Sequence, residues 1–255
     1  MPRSTLARRQ SIERLVNETG RILLTDLAQR LGVSPETLRR DLVYLERAGA
    51  LERRHGEVVA PTWSIEPGIT ARLSLQVEEK RRLSMAALDY LPRQGFVFVD
   101  SGSTFLPMAP LLRRFPDLTI VTTNIMAAVS ASSSNNLPVI YLIGGLVRPL
   151  TADTMGGKVL EELTRYSFET VFLGANLVTP QGLYTPALEE ASVKETAAKN
   201  GRQVVVVADG SKHRLRGTGY LFATWKDVHV LLTTGPVPDE TMTAAGAAGV
   251  EVVVR

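Results

Sequence analysis

Apolar residues recur at helical spacing through the first sixty positions, then give way to short continuous apolar runs set between helical stretches. Ile12, Leu15 and Val16 share one stripe of a helix over Arg8 to Glu18, and Gly20 is the residue type that stops it. Thr25 is expected to cap a second helix with Leu27, Ala28 and Leu31 on its inner side, ending at Gly32. Ser34-Pro35 opens a third, because serine caps free amides and proline fits the first helical position. Leu38, Leu42 and Leu45 fall in a narrow arc of that helix, opposite Glu36, Arg40, Val43, Tyr44 and Arg47, with Thr37 and Arg39 on its flanks. Leu51 to Val59 reads as two short strands around Gly56. Three helices and a hairpin make a winged helix-turn-helix over residues 1–60, with the helix-turn-helix at about 22–41 and its turn at Leu31 to Ser34.

Residues 61–70 hold two prolines and a glycine without periodicity and read as a linker. A charged helix is expected over Ala71 to Leu91, placed to couple the two domains. Strands are expected at Phe96–Asp100, Leu118–Thr123, Pro138–Gly144, Glu169–Gly174, Gln203–Asp209, Val228–Leu232 and Val250–Val254. Helices are expected between them, at Phe105–Arg114, Met126–Ala131, Val159–Tyr166, Ala187–Lys199 and Glu240–Ala248. Continuous apolar strands alternating with helices predict an α/β fold with a mostly parallel sheet covered on both faces, over residues 71–255.

Charge sharpens the division. Residues 1–60 carry 11 Arg and no Lys against 8 Asp+Glu, which is 11 − 8 = +3, the whole net charge of the chain. Arginine suits bidentate phosphate and guanine contacts, so a basic head on a neutral body fits a DNA-binding module on a sensor, although on charge alone a solvated helical surface stays slightly ahead. No run of eighteen apolar residues predicts a membrane span. The N-terminus lacks the apolar core of a secretory signal, which points to the cytoplasm. Without any cysteine, disulfides, thiolate nucleophiles and cysteine-ligated zinc are excluded.

In open parallel sheets, ligands bind beyond the carboxyl ends of the strands. The residues there are Asp100, Ser101, Gly102, Ser103 and Thr104, then Thr122, Thr123 and Asn124, Gly144 and Gly145, Gly174 to Asn176, and Asp209 to Lys212. Ser101 to Thr104 is expected to lead into a helix and offer amides and hydroxyls to a phosphate. Asp100, Asn124 and Asp209 suit sugar hydroxyls, and Lys212 or Lys194 would neutralise phosphate charge. Singly each is weak, since Asp-x-Gly turns, Gly-Gly turns and solvated helix lysines are common. Their recurrence at one rim is what suggests a pocket. Glu189-Glu190 reads as a solvated helix face, because neighbours on a helix point apart. The three histidines are too scattered for a metal cluster, and no P-loop, dinucleotide fingerprint or nucleophile elbow is present, so neither metal nor cofactor is expected.

Val33-Ser-Pro-Glu-Thr-Leu-Arg-Arg-Asp-Leu42, followed by Leu45-Glu46, Gly49 and Arg54-His55-Gly56, resembles the head of the DeoR family of bacterial sugar-metabolism regulators. Glu57 stands where that family's wing usually has a second glycine. The body resembles it too, through Glu79-Lys80, Asp100 to Thr104, Thr123-Asn124, Ile143-Gly-Gly145, Phe172 to Ala175, Lys194 and Asp209 to Lys212, although Asn176-Leu177 departs from the Asp-Gly or Asn-Gly pair of many members. The resemblance implies a sensor fold like ribose-5-phosphate isomerase and CoA transferases, and a phosphorylated sugar or related effector. It implies a DNA-binding repressor acting on a double-stranded operator as a dimer or tetramer. Ser34, Thr37, Arg39, Arg40 and Tyr44 of the third helix would face DNA, with Arg53, Arg54 and His55 of the wing and Arg8 or Arg9 beside them. The rival readings are a sugar-phosphate isomerase with a DNA-binding appendage, and a DNA-binding scaffold with a vestigial pocket.

Overall fold

The computed structural model describes residues 5–47, 50–59, 68–132, 138–213 and 218–255. They form two compact units that divide between Gln76 and Val77. Of the expected linker at 61–70, residues 61–67 lie outside the described residues, and Ile69 and Thr70 belong to a helix instead.

In the first unit, α1 (Thr5–Thr19), β1 (Arg21–Leu23), α2 (Leu24–Leu31) and α3 (Pro35–Arg47) precede a hairpin of β2 (Glu52–Arg54) and β3 (Glu57–Val59). One cluster joins them: Ile12, Val16, Leu27, Leu31, Leu38, Leu42, Leu45, Leu51 and Val58 are buried together. Gly32 ends α2 in the left-handed conformation, φ 63°, with its own N–H and that of Val33 closing the helix on Gln29 and Ala28. Ser34 caps α3, its Oγ accepting from Thr37 N at 3.2 Å. Thr25 does not cap α2. Strand β1 pairs with β3 of the wing, so the chain leaves the sheet at Leu23 and the helix begins there with no side-chain cap.

The expected helix over 71–91 is instead α4 (Ile69–Leu73) and α5 (Val77–Ala87), followed by a 3-10 turn at Leu88–Tyr90. The chain breaks at Gln76, φ 51°. Leu75 packs into the core of the first unit and Gln76 Nε2 donates to Glu13 Oε1 at 3.1 Å. This anchoring overrides the charged helical pattern, so no continuous rod spans the two units' boundary.

The second unit is built on a seven-stranded sheet, wholly parallel, formed by the seven predicted strands. These are β4 (Gly95–Val99), β5 (Leu118–Thr122), β6 (Val139–Leu142), β9 (Phe168–Gly174), β12 (Gly201–Ala208), β14 (Val230–Thr233) and β15 (Glu251–Val254), in the order β15-β14-β12-β9-β4-β5-β6. Successive residues of β4 feed opposite cores. Phe98 joins Val121, Val171 and Val206 beneath α7 (Gly157–Leu163), α8 (Leu188–Lys199) and α9 (Asp239–Ala247). Val97 and Val99 join Ile120, Val205 and Val207 beneath α5, α6 (Ile125–Ala131) and a 3-10 segment, Ala109–Arg114. Burial on both faces is why the inner strands read as unbroken apolar runs, whereas the edge strands β6 and β15 stay largely open. Two small additions carry no such signal: the hairpin β7 (Leu146–Arg148) and β8 (Asp153–Met155), and an antiparallel sheet of β10 (Leu177–Thr179), β11 (Gly182–Thr185) and β13 (Tyr220–Ala223).

Candidate functional site

The strand order locates the point at which the winding of the sheet reverses direction. From β4 the chain steps outward through β5 to β6, and from β9 it steps the other way through β12 and β14 to β15. The reversal lies between β4 and β9, and a crevice opens at the carboxyl ends of such a pair because the flanking connections leave on opposite sides. Asp100 follows β4 at that point, its N–H donating to Phe172 O at 3.0 Å and its Oδ2 accepting from Gly174 N at 2.8 Å.

Lys194 reaches this point from α8. Its ammonium donates to Asp100 Oδ2, to Gly174 O at 3.0 Å and to Glu190 Oε1 at 3.2 Å. Both Lys194 and Asp100 are 1% exposed. Three acceptors match the three N–H donors of an ammonium, so Lys194 is committed within the protein and does not extend toward a phosphate as expected. Burial favours a neutral lysine, yet Asp100 and Glu190 outweigh it and hold the ammonium charged above its ordinary value. Burial pushes the Asp100 carboxyl up, against the opposing pull of Lys194. Asp100 Oδ1 is buried without a hydrogen-bond partner.

Glu190 overturns the expectation of a solvated helix face. It is buried, 3.6 Å from Arg148 Nη1 of β7 and one turn from Lys194. The i,i+4 spacing of Glu190 and Lys194 was the available signal. Arg148 comes from a hairpin the sequence pattern does not reveal.

Ser101 to Thr104 does not open an α-helix. Gly102 turns the chain at φ 102°, and Pro107 and Pro110, which lack N–H donors, leave turns and then the 3-10 segment. Its backbone is still placed at the crevice. Asn124 Nδ2 donates to Gly102 O at 3.1 Å, and Ser84 Oγ donates to Thr104 O at 2.7 Å. Asn124 also caps α6, accepting from Ala127 N at 2.9 Å. Thr123 O accepts from Thr154 N at 3.0 Å. The backbone of Asn124 pairs with that of Asp153, whose buried carboxylate, missed in the sequence, accepts from Thr151 Oγ1. Gly145 allows the hairpin to close: a Cβ there would meet Met155 O at 2.6 Å. Gly144 meets nothing within 4 Å.

On the far side of β9, Asp209 follows β12. Its Oδ1 accepts from Ser211 N at 3.0 Å and from Ser211 Oγ, and Lys212 Nζ lies 3.8 Å from its Oδ2. Burial opposes its ionisation, but Lys212, Lys80 and Ser211 outweigh burial and hold the carboxyl below its ordinary value. Gly210 N donates to Thr234 Oγ1 at 2.8 Å, and that hydroxyl donates to Glu79. The rim therefore gathers Asp100 to Thr104, Asn124 and Asp209 to Lys212 at neighbouring strand ends. Gly102, Thr104, Arg148, Asn176, Ser211 and Lys212 are its partly exposed members.

In the head, Arg40 is exposed on α3 and makes no hydrogen bond or ion pair with a described residue. Arg39 is held bidentately by Glu36, Nε and Nη2 each at 3.1 Å, an exposed pair that salt screens. In the wing, Arg53 pairs with Glu46 at 2.6 Å and Arg54 with Glu52 at 3.3 Å, while His55 is exposed at the Gly56 turn. Two expected DNA-facing groups are engaged elsewhere. Arg8 and Arg9 Nε clamp the buried Asp41 at 2.5 and 2.9 Å. Tyr44 lies under the Arg9 guanidinium, 3.7 Å from its ring centre, and donates to Ser74 Oγ at 3.0 Å.

Comparison with known families settles the relationship. The DeoR-like helix-turn-helix domain matches residues 8–63, and the DeoR C-terminal sensor domain matches residues 75–234. The chain belongs to the DeoR family. Among DeoR relatives, the transcriptional regulator GlpR of Haloferax volcanii is 31% identical over 248 residues, covering 96% of each chain. The glycerol-3-phosphate regulon repressor of Escherichia coli is 29% identical over 206 residues, 80% of this chain and 81% of that one. The regulator IolR of Bacillus subtilis is 27% identical, over 92% and 93%. Among solved structures, a D-ribose-5-phosphate isomerase in complex with phospho-erythronic acid aligns with a TM-score of 0.40 at 17% identity, over 57% of this chain and 56% of that one. Like its DeoR relatives this chain carries a DNA-binding head, and no helix among the described residues is long and apolar enough to cross a membrane.

Proposed function

We propose that this DeoR-family regulator is a cytoplasmic repressor of carbohydrate-metabolism genes, relieved when a phosphorylated sugar or related polyol phosphate binds at the β4–β9 crevice. The observation that carries the reading is a polar, partly cationic rim at the point of strand reversal in a chain that also holds a helix-turn-helix. Lys212 and Arg148 are its reachable cations, and the Gly102 and Gly210 turns offer backbone to a phosphate. Asp100 and Asn124 suit hydroxyl groups. Lys194 supports Asp100 from below and is not itself a ligand. The regulatory names of the relatives favour sensing over isomerisation, and the glycerol-3-phosphate regulon repressor among them favours a small phosphorylated polyol.

On the DNA side, Arg40 and Thr37 near the start of α3 read base edges, with Ser34 at its cap. Arg39, Arg53, Arg54 and His55 contact phosphates, exchanging weak exposed partners for the backbone. The working unit is a dimer or tetramer on a two-fold operator. For an effector to release DNA it must bind the free and operator-bound states with different affinity.

The test is a thermal-stability series of the purified chain against free and phosphorylated sugars and polyols, followed by a mobility-shift titration with any ligand that stabilises. Ligand at 100 times its dissociation constant adds about 2.7 kcal/mol. Stabilisation by a phosphorylated compound, absent with the free compound and lost in Lys212→Met, is the expected result. Equal ligand affinity with and without operator DNA overturns the switch.

A further inference from the structure

The two edges of the seven-stranded sheet are built differently. At β15 the edge strand begins with Glu251, which accepts from Tyr90 Oη at 3.2 Å, and is followed by Arg255. Charges of this kind deter a second strand from pairing. At β6 the opposite holds. From Pro138 through Val147 the sequence carries no charged residue, and among the described residues no strand pairs on the outer side of β6. Its apolar side chains are open: Val139, Tyr141 and Leu142 of β6, with Leu146 and Val147 of the adjoining hairpin, are between 43% and 71% exposed, and Val129 of α6 is 66% exposed. A cavity of about 430 Å³ lies between Tyr141 and α7, with Lys158, Glu161 and Glu162 on its helical side, so charge begins only behind the strand.

An unblunted, uncharged, apolar edge is a template for strand addition unless something covers it. We propose that the cover is a second copy of this chain, its β6 running antiparallel to the first across a two-fold axis, so that one sheet continues through both copies. Three features favour a like partner. An uncharged apolar strand is complementary to itself, and a two-fold interface requires the same patch on both sides. The six named side chains expose on the order of 600 Å² per copy, so a symmetric pair removes about 1,200 Å², the lower end of what specific interfaces bury, before the new backbone hydrogen bonds are counted. A helix-turn-helix head works on paired half-sites, which calls for two-fold partners. The last point rests on the proposed DNA-binding function, whereas the first two do not.

The absence of cysteine makes the test direct. Sedimentation of the full chain should give an even multiple of the 27.8 kDa chain mass. Tyr141→Lys should sediment at half the wild-type mass with its circular dichroism intact, while Val254→Lys, exposed on the β15 edge, should keep the wild-type mass. Single cysteines at Val139, Ile140, Tyr141 and Leu142 in turn sample every position of the axis, because directly opposed residues in an antiparallel pair lie about 4.5–5.5 Å apart at Cα, within disulfide reach. At least one should give a disulfide-linked dimer under mild oxidation, and Val254→Cys should give none. A monomeric wild type overturns the interface. A wild-type mass that survives Tyr141→Lys, or no crosslink at any β6 position, overturns this surface while leaving another dimer open. Should Tyr141→Lys fail to fold, the crosslinking series decides alone. Operator binding by mobility shift, run in parallel, separates failure of the interface from failure of the regulatory reading.

Discussion

At the scale of single residues, the crevice is organised by charges that hold one another rather than by charges waiting for a ligand. Lys194 balances Asp100 and Glu190 in a place water does not reach. Replacing it with methionine leaves two buried carboxylates without their common cation. Lys194→Met is expected to destabilise the chain by about 3–5 kcal/mol at neutral pH, measured by urea denaturation. Asp209 shows the opposite sense of shift from Asp100. Its carboxyl is held below the ordinary value of 3.8, so its stabilising contribution is present above that pH and is lost as acid passes through the lower folded value. The stability gap between wild type and Asp209→Asn should therefore be full at neutral pH and close in strong acid, read from denaturation curves along a pH series. In the head, Arg40 is exposed on α3 and makes no hydrogen bond or ion pair with a described residue. Arg40→Ala is expected to weaken specific operator binding by about 1–3 kcal/mol while leaving non-specific binding nearly unchanged, read by mobility shift on matched and scrambled sequences.

At the scale of elements, legibility followed the periodicity. All seven strands of the parallel sheet stood out because both of their faces are apolar, and α3 stood out because Leu38, Leu42 and Leu45 line one side behind a Ser34-Pro35 start. What stayed hidden depends on distant partners. Strand β1 is three residues long and exists because β3 is there to pair with it, which displaced the start of α2 from Thr25. The break at Gln76 comes from Leu75 and Glu13, sixty residues apart in sequence, against a local pattern that favours a helix. The prolines at 107 and 110 were visible and should have ruled out a helix there. The polar rim itself was read from the ends of the strands, yet the state of its charges was not. Glu190, Arg148 and Asp153 acquire their roles only when the β7–β8 hairpin folds back over α6 and α8.

At the scale of the whole molecule, the reversal of strand order does more than locate a crevice. The pairing of β4 with β9 joins Val97 to Thr170, and the Asp100–Lys194 bridge spans 94 residues. Such pairings form late, because the chain must close a long loop before any contact rewards it. Every residue of the head's apolar core cluster lies at or before Leu75. During synthesis, where N-terminal domains fold first, the part that grips DNA is therefore finished while the part that senses still lacks half of its walls. Every new molecule passes through an interval in which its head is packed and its rim does not yet exist, and the length of that interval is set by how long the ribosome takes to reach Lys212.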